Sequence, residues 1–161
     1  MSEHKATIRW TFSSGEFLKG RYSREHTWMF DGGVTVPASS SPAAVPKPYS
    51  NEANVDPEEA FVASIASCHM LTYLYVASKA GFQIVSYEDT AVGILSKNDR
   101  GVPWVSAVTL QPHITYAGDK RPSEADEDAL HHAAHEQCFI ANSVKTDITV
   151  RRSGNSAFRS V

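Results

Sequence analysis

Two cysteines, Cys68 and Cys138, are the residues of this 161-residue chain best suited to covalent chemistry. Cys68 lies in F-V-A-S-I-A-S-C-H-M-L-T-Y, with no formal charge between Glu59 and Lys79. A thiol in such a stretch is either inert packing or a nucleophile in a sheltered pocket. Nucleophilic chemistry requires the thiolate, and a nearby cation must stabilise it. Arg21 and Arg24 are the candidate cations, and spacing does not choose between them. His69 follows Cys68 directly, but adjacent helical residues point about 100° apart, so a Cys–His catalytic pair there is geometrically poor. Cys138 closes H-H-A-A-H-E-Q-C. Its spacing puts His131, His135 and Cys138 on one helical face. That trio is a partial metal site of the zinc type, lacking a fourth ligand nearby in sequence. The plainer reading is a polar face with histidines in solvent.

The elements that must carry these residues follow from the pattern. Asp56–Gly81 reads as one long helix with Cys68 near its middle. Asp56 is the N-cap, Pro57 the first helical residue, Glu59 the reciprocal partner of the cap, and Gly81 the C′ residue. A helix uncharged for that length is expected to be buried on most sides. Cys68 sits about a dozen residues in, beyond the reach of the helix dipole, so the cation must come from elsewhere. Ala6–Phe12 and His26–Phe30 read as strands, and Asp31-Gly32-Gly33 as a turn. The Pro- and Ser-rich Val34–Val55 stretch reads as a long loop with a short extended piece, either functional, mobile or a plain connector. Val85–Leu95 and Trp104–Tyr116 read as a hairpin about Lys97–Gly101, with Pro103 and Pro112 limiting the second strand. Ser123 caps a second helix running to about Cys138. Asn142-Ser143 marks a turn, Thr146–Arg151 a last strand, and Ser153–Val161 a polar, frayed tail. The order implies one α+β domain over residues 1–161.

Composition narrows the function classes. The net charge of −3, without a basic tract, argues against nucleic-acid binding. Ala60–Ser78 approaches the length of a membrane span, but its serines, tyrosines and His69 favour a globular core or dimer-interface helix over a membrane one. The N-terminus lacks a signal-peptide core, and two cysteines without one predict a reducing cytoplasm.

Two segments carry a family resemblance. V-D-P-E-E-A-F-V-A-S-I-A-S-C-H resembles the N-P-E-x-L-x-A-A-x-x-A-C-F segment of the OsmC/Ohr superfamily, the osmotically inducible and organic-hydroperoxide-resistance proteins. A-A-H-E-Q-C-F-I-A-N-S-V-K-T-D-I resembles its A-H-x-x-C-P-x-S-N-A segment. The long loop points to an OsmC-like member. Phe139 stands where proline is usual, and His69 where phenylalanine is common. The resemblance implies antiparallel sheets wrapped around long central helices in an intertwined homodimer. It implies a thiol-dependent peroxidase for organic hydroperoxides, with Cys68 peroxidatic, Cys138 resolving, and Glu58 and Arg24 (Arg21 second) supporting Cys68. A small dithiol or lipoyl-type group would be the reductant, and neither cofactor nor metal is called for. Glu58 and Cys68 are ten residues apart, about 15 Å along a helix. One arginine serving both therefore predicts a site shared across the dimer. Two other readings compete: a metal-binding protein using His131, His135 and Cys138, and a catalytically silent dimer holding a hydrophobic ligand.

Overall fold

A computed structural model describes residues 1–151 and 157–159. The chain forms two compact units, Met1–Ala60 and Phe61–Val161.

The first unit is a three-stranded antiparallel sheet, β1 (Ala6–Arg9), β2 (His26–Phe30) and β3 (Thr35–Ala38), in that spatial order. β2 matches the sequence expectation. β1 ends three residues early, because Trp10 leaves the ladder and donates its indole N–H to the Ser23 carbonyl at 2.9 Å. The β2–β3 turn falls at Asp31-Gly32-Gly33, where Gly33 takes φ +86°. β3 is the extended piece of the long loop. The rest of that loop is tied down: the Arg24 N–H donates to the Tyr49 carbonyl, and the buried Ser39 accepts from the Asn51 N–H.

α1 (Pro57–Lys79) starts in the first unit and continues into the second. Its capping box is present: the Glu59 N–H donates to Asp56 Oδ1 at 2.8 Å, and the Asp56 N–H to Glu59 Oε2 at 3.1 Å. At the other end Gly81 takes φ +80°, and the N–H groups of Gly81 and Phe82 donate to the carbonyls of Ser78 and Ala77. This is a Schellman motif, and Phe82 and Ala77 supply its apolar contact inside one core cluster. The helix is long and apolar enough to cross a membrane by length and composition. Burial on most sides does not hold within the chain. Only the stripe Ile65, His69, Tyr73 and Ala77 is buried, while Leu71 and Tyr75 are 60% and 56% exposed.

The second unit adds β4 (Gln83–Asp89), β5 (Val92–Lys97), β6 (Pro103–Leu110), β7 (Pro112–Ala117), α2 (Glu124–Gln137), β8 (Asp147–Arg151) and β9 (Ala157–Arg159). The two long strands read from sequence are each broken in two. β5 and β6 form the hairpin tip, and β4 pairs with β7 in a separate sheet. The break is made by Asp89, which accepts the Gln111 N–H, and by Gln111, whose side chain donates to the Thr90 carbonyl. At the tip, Asn98 Oδ1 accepts from the Arg100 and Val102 N–H groups, and Gly101 supplies φ +75°. The other sheet runs β5-β6-β8-β9. Not all pairing is antiparallel: β6 and β8 are parallel, as the passage through α2 requires. The tail is not wholly frayed, since Ala157–Arg159 pairs with β8; the remainder of 152–161 lies outside the described residues.

Two core clusters hold this unit. Ile65 packs with Val108, Leu110, Ile148 and Val150, and Tyr73 and Ala77 pack with Phe82, Leu130 and Ala134. α1 contributes to both, so it fixes α2 and the strands about one axis. Gly93 is required by this packing, because a Cβ there would stand 2.5 Å from Val62 Cγ2. Gly93→Ala is expected to destabilise the protein by about 1–3 kcal/mol, read as a lower urea midpoint. An unchanged midpoint would show that Val62 moves aside freely.

Candidate active site

The two sulfurs meet. Cys68 is half-buried on α1; Cys138 is fully buried at the C-cap of α2. Both are free thiols, with Sγ atoms 2.6 Å apart. A sub-ångström movement brings them to the ~2.05 Å of a disulfide. The chain beyond Cys138 turns through a short 3-10 helix, Ala141–Ser143. This turn aims the Ile140 N–H at Cys68 Sγ (3.5 Å) and the Ala141 N–H at Cys138 Sγ (3.4 Å). Asn142 clamps the turn, its amide donating to the carbonyls of Glu136 and Cys138, both at 2.9 Å. Read from sequence as a turn marker only, Asn142 is the residue that holds both donors in place. Burial pushes the Cys138 thiol up to about 11, and its hydrogen bond to Cys68 adds to this. Cys138 therefore stays protonated at neutral pH and reacts only with an electrophile placed against it.

Arg24 and Glu58 line one cleft of about 470 Å³ in the first unit, with His26 and the aromatic wall of Trp10, Phe17 and Tyr22. Arg24 is held locally. Its Nη1 donates to the Gly20 carbonyl at 2.8 Å and to that of Tyr22, and its guanidinium lies 3.7 Å over the Tyr22 ring. His26 fixes the backbone there. Because Trp28 donates to His26 Nε2, the proton sits on Nδ1, which donates to the Arg24 carbonyl at 2.7 Å. Arg21 is instead a surface residue, paired with Glu16 at 3.1 Å. Among the described residues no ion pair joins Arg24 to Glu58. Burial, with Asp56 and Glu59 nearby, pushes the Glu58 carboxyl up.

The histidines behave differently from the sequence expectation. His131 is not in solvent; like His69 it is 2% exposed. His69 Nε2 and His131 Nδ1 stand 3.0 Å apart, with the rings stacked at 13°. The partner of His69 is thus another histidine, as its direction away from Cys68 allows. His132 is exposed against Glu136, and His135 keeps a buried Nδ1 without a partner. The three ligands proposed for a metal diverge: His131 faces His69 and Cys138 faces Cys68. Among the described residues no group of three or more His, Cys, Asp or Glu can hold a metal ion.

Burial pushes His69 down to about 4, and His135 adds to this. The imidazole is therefore neutral in the fold but binds a proton near 6.5 when unfolded. A depressed histidine contributes stability that is full above about pH 6.5 and lost as pH falls toward 4. The loss amounts to up to about 3 kcal/mol. The measurement is urea unfolding at several pH values against His69→Gln, which cannot titrate. Parallel pH curves for the two proteins would contradict it.

A family model for OsmC-like proteins matches residues 50–152. An OsmC-like protein of unknown function from Vibrio cholerae is 50% identical, with a TM-score of 0.91, over 94% of this chain and 99% of that one. The organic hydroperoxide resistance protein OhrB of Bacillus subtilis shares the fold at 21% identity and a TM-score of 0.63, over 94% of this chain and 96% of that one. So does an organic hydroperoxide resistance protein from Elizabethkingia anophelis, at 18% identity and a TM-score of 0.69, over 94% of each chain. No curated protein sequence matches the chain. With two cysteines brought together by the elements that carry the matched segments, the chain belongs to the OsmC/Ohr superfamily, in its OsmC-like branch.

Proposed function

We propose that this protein is a cysteine-based peroxidase that reduces organic hydroperoxides. The observation that carries the reading is the 2.6 Å approach of Cys68 and Cys138. The Cys68 thiolate attacks one peroxide oxygen and the O–O bond breaks. The alkoxide takes a proton and leaves as an alcohol, and Cys68 becomes a sulfenic acid. Cys138 attacks that sulfur, the S–S bond forms and water leaves. A small dithiol or lipoyl-type reductant restores both thiols by exchange. Arg24 is assigned the role of holding Cys68 as thiolate, and Glu58 that of orienting the guanidinium in the catalytic complex.

The protein is proposed to work as a cytoplasmic homodimer. The exposed Leu71 and Tyr75 of α1, and the exposed Phe17 and Leu18 of the first unit, are surfaces that a second copy would cover. The apolar wall of the Arg24 cleft favours a hydroperoxide with an organic group over hydrogen peroxide. Steady-state consumption of cumene hydroperoxide and hydrogen peroxide with dihydrolipoamide tests the reading. It predicts turnover that requires the protein and is faster for cumene hydroperoxide. Consumption no faster than that of the dithiol alone would overturn it.

A further inference from the structure

We infer that the buried His69–His131 bond is a latch that positions Cys138 against Cys68 and so sets the redox equilibrium of the thiol pair. The inference rests on the reading of those cysteines as a reversible dithiol. It does not depend on peroxide being the oxidant.

The geometry is that of a two-point attachment. Cys68 and His69 are neighbours on α1, about 1.5 Å apart along its axis but pointing about 100° apart. Their partners on α2, Cys138 and His131, are seven residues apart, two turns or about 10.5 Å. α2 is thus tied to α1 at two points, by sulfur at its C-cap and by imidazole two turns earlier. Leu130 and Ala134 also pack α2 with Tyr73 and Ala77 of α1, and the imidazole bond adds a directional contact that fixes the register of the helix end carrying Cys138. Sulfur–sulfur bonding is sensitive to that register at the sub-ångström level.

The latch is built to hold. Both rings are 2% exposed, and the Tyr73 ring packs 4.4 Å from His131. Tyr73 in turn bonds Tyr116 of β7, hydroxyl to hydroxyl, at 2.7 Å. His135 and Glu127 of α2, and Tyr87 of β4, are the other titratable groups around it. A buried imidazole nitrogen that loses its partner carries its full desolvation cost. Separating the two rings therefore costs the packed arrangement stability.

The test is the equilibrium of the protein dithiol with glutathione redox buffers, read as the fraction of thiols remaining after acid quench. Each protein thiol gives up its hydrogen, the protein S–S bond forms, the glutathione disulfide breaks, and two glutathione thiols take the hydrogens. His131→Leu fills the space but removes the bond. It is expected to lower the equilibrium constant for the protein disulfide about tenfold, which is about 30 mV for a two-electron couple. His131→Asn places an amide where Nδ1 lies and is expected to restore the wild-type value within about twofold. His132→Gln replaces the neighbouring exposed imidazole of α2, which faces Glu136 instead, and is expected to leave the constant unchanged. If His131→Leu does not fold, His69→Leu breaks the same bond from α1 and takes its place. A wild-type constant in the Leu variants, no rescue by His131→Asn, or an equal shift in His132→Gln overturns the latch. A wild-type protein that forms no Cys68–Cys138 disulfide at any buffer ratio overturns the dithiol reading itself.

Discussion

Cys68→Ser is expected to lower hydroperoxide consumption by at least about 10³-fold, the scale on which removing a nucleophile acts. Serine is nearly isosteric, and the position is half-buried on a helix whose buried stripe is Ile65, His69, Tyr73 and Ala77. The fold should survive, and circular dichroism and the urea midpoint serve as controls. A hydroxyl cannot supply the soft anion that attacks an O–O bond at neutral pH. Cys138 cannot substitute, because burial holds it protonated, with its thiol pushed up to about 11. Residual activity in the variant within tenfold of wild type would mean that the chemistry lies elsewhere.

Cys138→Ser should behave differently. The first turnover needs only Cys68, so a stopped-flow burst of about one equivalent is expected at a rate close to wild type. Steady-state turnover is expected to fall on the order of 10²-fold, because the sulfenic acid loses the thiol that stands 2.6 Å away. Further peroxide then drives Cys68 to the sulfinic acid, which a dithiol does not reverse. Mass spectrometry of the spent variant should find two added oxygens on the Cys68 peptide. A variant that cycles as fast as wild type, with Cys68 still reduced, would remove Cys138 from the mechanism.

The parts of this molecule visible in its sequence are those specified locally. Asp56, Glu59 and Gly81 bound α1 through contacts within a few residues, and Ser123 starts α2 in the same way, with Asp126 completing the box. Pro103 and Pro112 open β6 and β7 because a residue without an N–H suits a strand's first position. What escaped the reading depends on long-range pairing. Nothing near Thr90 in sequence announces that Asp89 will accept from Gln111 and split one long hairpin into two sheets. The parallel β6–β8 pair is likewise decided by the path through α2. The four histidines of α2 and α1 show the same limit. Periodicity puts His131 and His135 near one face, but whether that face meets solvent or His69 is a tertiary fact. The meeting of the thiols was implied by resemblance alone; the structure adds the Asn142 clamp and the two N–H groups aimed at sulfur.

Arg24 is one of the two arginines proposed to support Cys68. Spacing left it level with Arg21. Their settings differ: Arg21 pairs with Glu16 at the surface, while Arg24 is stacked on Tyr22 and lines a cleft with Glu58. An arginine held by two backbone carbonyls and an aromatic face is preorganised, so little side-chain entropy is lost when an anion binds it.

If Cys68 and Cys138 act as one redox unit, a single equivalent of oxidant converts both. Reduced protein is treated with one equivalent of cumene hydroperoxide, alkylated to block remaining thiols, and digested for mass spectrometry. The expected result is the loss of both thiols, a single peptide pair joined through Cys68 and Cys138, and one equivalent of cumyl alcohol. Both thiols recovered as alkylated peptides, or Cys68 oxidised to the sulfinic acid beside an untouched Cys138, would contradict it.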